Sequence, residues 1–157
     1  MPGSTAPHTK LEEGRISSLM GYRLAQVVAI TNALFDEAVY KKYQIRPVEL
    51  TILELLSANP DATPTQLAKA LTFTMPSLTI WLDKLEKKEL IQRTRNPIDK
   101  RSMKILLTAK GKRLVNGCVA ALIDADKIFD SKLSKAEQQT LLTLLDKAAR
   151  TKKTLKP

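Results

Sequence analysis

The stretch TPTQLAKALTFTMPSLTIWLDKLEKKE, from Thr63 to Glu89, decides the fold. It opens on Thr63 followed by Pro64 and, three residues on, Gln66. That is a capping box with proline at the first helical position, where its missing N–H costs nothing. The pattern predicts a helix burying Leu67, Ala70 and Leu71, then a turn around Thr72, Phe73 and Thr74. A second helix, about Met75 to Glu89, places Leu78, Leu82 and Leu85 on one stripe. At roughly 100° per residue, Pro76, Ile80, Asp83, Lys84 and Lys87 face away from that stripe, flanked by Ser77 and Thr79. Ile91 to Arg95 and Ser102 to Leu107 then read as two strands around a tip that carries Lys100 and Arg101, a candidate minor-groove probe. Helix, tight turn, basic helix and hairpin, in that order, is the layout with which a winged helix-turn-helix meets duplex DNA.

The charge distribution agrees. The chain of 157 residues has a formal net charge of +10. Half of that excess falls between Lys84 and Lys104, where Lys84, Lys87, Lys88, Arg93, Arg95, Lys100, Arg101 and Lys104 outweigh Glu86, Glu89 and Asp99. A basic surface alone is as often a solvated face as a binding site, but here it coincides with the turn and the hairpin. Few aromatics and many aliphatic residues predict an aliphatic, mostly helical core. No apolar run approaches the roughly 18 residues of a membrane span. The first residues lack the basic start and apolar stretch of a signal peptide, which predicts a cytoplasmic protein. A single cysteine, Cys118, leaves no intrachain disulfide, and a single histidine, His8, leaves no ligand set for zinc or copper. No phosphate loop or nucleophile with a histidine base is present, so neither a cofactor nor an enzymatic activity is expected.

Working outward, residues 1–12 read as a mobile arm and residues 15–45 as a dimerisation helix, helical from Arg15 to about Lys42. Pro47 to Ser57 forms a second helix burying Leu50, Leu53 and Leu56, so that residues 46–108 form the DNA-binding region. Thr108 caps a helix to about Asp130, and the box Ser134-Lys-Ala-Glu137 starts a last one bearing Leu141, Leu142, Leu144 and Leu145. These last two helices make a C-terminal dimerisation region, 109–150, followed by a basic tail, 151–157. Long apolar stripes outside the DNA-reading segment predict a homodimer.

Several motifs stand in register: Gly21-Tyr22, Arg46-Pro47-Val48-Glu49, Thr65 to Leu71, Leu82 to Glu86, Asp99-Lys100-Arg101, Thr108 to Gly111 and Leu133 to Glu137. Together they resemble the multiple-antibiotic-resistance regulator (MarR) family over about Leu19 to Ala149. The resemblance implies a mainly α dimer with a two-stranded wing and intertwined terminal helices. It implies a palindromic double-stranded operator and, often, a repressor released by a small aromatic or phenolic ligand, or sometimes by oxidation. It makes the helix after Thr74 the recognition helix and Arg101 the wing arginine, oriented by Asp99. Affinity would come from Lys84, Lys87, Lys88, Arg93, Arg95 and Lys104, and sequence choice from Pro76, Ser77, Thr79, Ile80 and Arg101.

The chain leaves the family pattern at two places. Ile80 stands where a basic residue is common, which points to contact with a thymine methyl. Glu89 stands where glycine is common, which predicts a helix that runs on or ends differently. Met20, Tyr22, Phe73 and Trp81 are candidates for an effector cleft, although core packing is the ordinary role of such residues, Trp81 included. Two other readings stay open. One is a winged-helix module that binds an acidic protein instead of DNA. The other is redox sensing through Cys118, which its place on an apolar stripe disfavours.

Overall fold

The computed structural model describes residues 11–95 and 103–150, with Arg95 as backbone only. The chain divides into two compact units, one ending at Ala33 and one beginning at Leu34.

The first unit opens with a 3-10 turn, Gly14–Ser18, in which Ser17 and Ser18 donate their hydroxyls to the carbonyls of Gly14 (2.7 Å) and Arg15 (3.0 Å). Those bonds and the extended Leu19 delay the first helix, which starts at Met20, five residues after the start that periodicity predicts. This helix, α1 (Met20–Phe35), leaves Met20, Leu24, Val27, Val28 and Ile30 exposed in a single copy of the chain. It continues as a π-helical turn, Asp36–Tyr40, and a last turn, Lys41–Tyr43, and closes on Gln44, left-handed at φ 54°.

The second unit holds the core. Helix α2 (Pro47–Ala58) starts where Pro47 sets the first helical φ and Glu49 accepts from the backbone N–H of Arg46 at 2.8 Å. It buries Leu50, Ile52, Leu53 and Leu56. Helix α3 (Pro64–Leu71) begins at the expected box, with Thr63 and Gln66 bonded reciprocally. It buries Leu67 and Ala68; Ala70, expected inside, is exposed, because Leu67 takes the centre of the stripe and Ala68, not Ala70, flanks it. Helix α4 (Met75–Lys87) buries Leu78, Leu82 and Leu85 as expected.

Strands β1 (Ile91–Arg95) and β2 (Met103–Leu107) pair antiparallel, with Ile91 opposite Leu107 and Arg93 opposite Ile105. Helix α5 (Ala109–Asp126) is capped by Thr108 and adds Val115 and Cys118 to the core. It ends short of Asp130 in a 3-10 turn, Lys127–Ser131. Helix α6 (Lys135–Ala149) has the Ser134–Glu137 box but no buried residue, and Leu142 is 61% exposed. Among the described residues no helix is long and apolar enough to cross a membrane, and no group of three His, Cys, Asp or Glu could hold a metal.

Candidate nucleic-acid interface

Thr74 caps the helix that presents the interface: its hydroxyl oxygen accepts from the Ser77 N–H at 3.3 Å and lies 2.8 Å from the Ser77 hydroxyl. With the leucines turned inward, Met75, Pro76, Ser77, Thr79, Ile80, Lys84 and Lys87 are exposed. Ile80 is 56% exposed, far more than a packed isoleucine would be, and shares its side of the helix with Pro76, Ser77, Lys84 and Lys87. Trp81 packs on the core, the ordinary role weighed for it, and the Lys84 ammonium lies 4.4 Å from its ring centroid.

The helix ends at Lys87, two residues before the expected Glu89. Glu89 takes the left-handed conformation itself, at φ 60°. The N–H of Leu90 bonds to the carbonyl of Leu85 (3.0 Å) and that of Glu89 to the carbonyl of Glu86 (2.8 Å), the paired bonds of a Schellman cap. The strain is held from the far side. Thr108 donates its hydroxyl to the Glu89 carbonyl (2.8 Å), and Lys110 reaches the Lys88 carbonyl (2.9 Å) and the Glu89 carboxylate (3.0 Å). So the family pattern is met in backbone geometry without its glycine.

The structure spends several cations, read from sequence as phosphate contacts, on carboxylates instead. Arg93 on β1 donates through Nη2 to Asp83 at 2.6 Å and through its backbone N–H and Nε to Glu86 at 3.1 and 3.0 Å, pinning the wing to α4. The Arg93 hydrogen bonds hold the Glu86 carboxyl below its ordinary value, and Glu86 in turn raises Arg93. Lys104 on β2 pairs with Asp61 at 2.6 Å. Lys88 turns away from the helix surface to the buried Glu49 at 2.8 Å. Charge counting takes every cation as available, whereas these three are engaged within the chain.

Lys87, by contrast, makes no ion pair among the described residues, and neither does Lys69 on the exposed side of α3. Lys69 precedes the basic run read from the sequence, and its place one turn after Thr65, off the Leu67–Leu71 stripe, accounts for its exposure. The side chain of Arg95 and residues Asp99, Lys100 and Arg101, the expected wing contacts, lie outside the described residues.

Residues 45–103, which hold α2, α3, α4 and the start of the second strand, match the model of the MarR family. The chain carries a MarR-family winged helix. The transcriptional repressor CouR, in a structure bound to a 23-mer DNA duplex, is 29% identical over 90% of this chain and 99% of its own, with a TM-score of 0.82. MarR from E. coli is 27% identical over 82% of this chain and 96% of its own, at a TM-score of 0.67. MepR from S. aureus, in its DNA complex, is 25% identical over 84% and 97%, at 0.73. Family and fold are those of transcription regulators. Of the candidate effector residues, Met20 and Tyr22 belong to the first unit, while Phe73 and Trp81 pack on the MarR-type core of the second. Cys118 of this MarR-type core is fully buried, and burial pushes its thiol up to about 11.

Proposed function

We propose that the chain is a sequence-specific double-stranded DNA-binding transcription regulator without catalytic activity, a cytoplasmic repressor that occupies a palindromic promoter site as a homodimer and is released by a small aromatic effector. One observation carries the reading: over 90% of its length the backbone follows a repressor whose structure holds a DNA duplex. The surface of α4 is consistent with it. Pro76, Ser77, Thr79 and Ile80 supply short polar and apolar groups for base edges, and Lys84 and Lys87 supply phosphate contacts. Asp99, Lys100, Arg101 and Arg95 are proposed to complete the contact from the wing.

The dimer accounts for the exposed leucines of α6 and the exposed aliphatic residues of α1, which in a single chain would remain in water. The candidate effector contacts are proposed for each unit by itself: Met20 and Tyr22 in the first, Phe73 and Trp81 in the second. Release by thiol oxidation is disfavoured, because the reactive species is a thiolate and Cys118 is buried and protonated at neutral pH.

Selection from a randomised duplex library, followed by binding over a salt series, tests the proposal. A pseudo-palindromic consensus with steep salt dependence is expected. Binding without any enriched sequence, or none at low salt, would leave the protein-interaction module as the better reading.

A further inference from the structure

The recognition helix ends on a joint. Lys88, one residue beyond its last turn, donates its ammonium to Glu49 Oε1 at 2.8 Å and to the Gln44 carbonyl at 3.0 Å. Glu49 is only 2% exposed, and its other oxygen accepts from the Arg46 N–H at 2.8 Å. One carboxylate thus caps α2 and holds the ammonium. Gln44 closes the helical run that begins at Met20, so its carbonyl belongs to the negative end of that run. Three element ends therefore meet at one nitrogen: the close of the first helical run, the start of α2 and the close of α4. Taking away the Lys88 charge strands the buried Glu49 carboxylate, whereas the Lys88 side chain, 40% exposed, can return to water, so it is the carboxylate that fixes where the end of α4 can lie.

We propose that Glu49 and Lys88 are positioning residues for DNA recognition: without touching DNA, their ion pair fixes the tilt of the recognition helix and so sets selectivity for operator over random sequence. The inference rests on the DNA-binding reading above. It also gives any displacement at Gln44 a direct route to α4, because both share the Lys88 ammonium.

The test compares wild-type, Glu49→Gln, Lys88→Met, the double variant and Lys87→Met on two probes over a salt series. The probes are a duplex that the wild-type protein enriches from a randomised library and a scrambled duplex of equal composition. Glu49→Gln keeps an oxygen for the Arg46 N–H, and Lys88→Met keeps the packing of the stem. Both single variants should lower the enriched-to-scrambled affinity ratio by about two- to thirtyfold, with the salt slope unchanged. The double variant should lose no more than either single one. Lys87→Met, which removes one phosphate contact from each protomer of the dimer, should instead lower the slope by about 1.8 and leave the ratio in place.

A Lys88→Met that behaves like Lys87→Met, or a Glu49→Gln that selects like wild type, overturns the proposal. Thermal melting separates lost position from lost fold. If both variants unfold, Lys88→Arg, whose planar fork does not match a point-charge site, has to keep the slope and lose the ratio, or the proposal falls. A wild-type protein that enriches no sequence removes the DNA-binding reading and this inference with it, whereas a selective wild type with selective variants removes the inference alone.

Discussion

Gly111→Ala should destabilise the protein although it places a better helix former in the first turn of α5. Helix propensity alone predicts a gain of about 1 kcal/mol. The structure predicts the opposite sign. A Cβ at position 111 would lie 2.1 Å from the Leu90 carbonyl oxygen, a backbone atom, and 3.2 Å from a methyl of Leu107. An ordinary carbon-to-oxygen contact is about 3.3 Å, so α5 and Leu90 would have to separate by about 1 Å. That carbonyl accepts the Thr108 N–H at 3.1 Å and the Thr108 hydroxyl at 3.2 Å, so the separation stretches the cap of α5 and the bonds that hold the wing to the end of α4. Overpacking of this kind costs about 1–3 kcal/mol, and a weakened bond to a part-buried carbonyl about 1 more. Offset by propensity, the net loss is about 1–3 kcal/mol. Urea unfolding followed by the fluorescence of the single tryptophan, Trp81, at fixed protein concentration measures it. A Gly111→Ala variant more stable than wild type by about 1 kcal/mol, the gain that propensity alone predicts, would refute the close-approach argument.

Three further outcomes are expected. Replacing Leu141 and Leu145 by glutamate should dissociate or unfold the dimer, since burying each leucine contributes about 1.5–3 kcal/mol; a wild-type protein that light scattering finds monomeric at micromolar concentration would contradict this. If Ile80 meets a thymine methyl, replacing that thymine by uracil should cost a measurable part of the roughly 1–3 kcal/mol of a mismatched base pair, and Ile80→Ala should abolish the difference; equal uracil discrimination in both proteins would show that Ile80 never reaches a base. Because Arg93 depresses the Glu86 carboxyl, the stability of the wing joint is fully present above the ordinary value of 4.5 and is lost as pH falls through the depressed one. Arg93→Gln should therefore flatten the fall of melting temperature below about pH 4.5, and identical acid profiles would show that the pair contributes nothing.

What was legible in the sequence was local. Thr63, Thr108 and Ser134 each accept from the N–H three residues on, as their capping patterns predict, and the Leu78, Leu82 and Leu85 stripe lies inward. Such features depend on a few neighbouring residues, and the periods of helix and strand carry them. What was not legible depends on partners far along the chain. Lys88 finds Glu49 and Lys104 finds Asp61 only once the chain has folded, and nothing in a basic run marks which cations will be so engaged. The end of α4 was misjudged for a related reason: a glutamate in the left-handed region is unfavourable by itself and is held there by Thr108 and Lys110, which lie beyond the wing.

Glu89 has one more consequence, at the level of genes. Glutamate and glycine codons differ by a single base, so the relaxed form of this bend lies one point mutation away. A left-handed glutamate costs on the order of 1 kcal/mol relative to glycine, while its exposed pairing with Lys110 returns only a fraction of that. The chain therefore holds stability in reserve at a position that directs no side chain into the core, and random mutagenesis under thermal selection would reach it in one step.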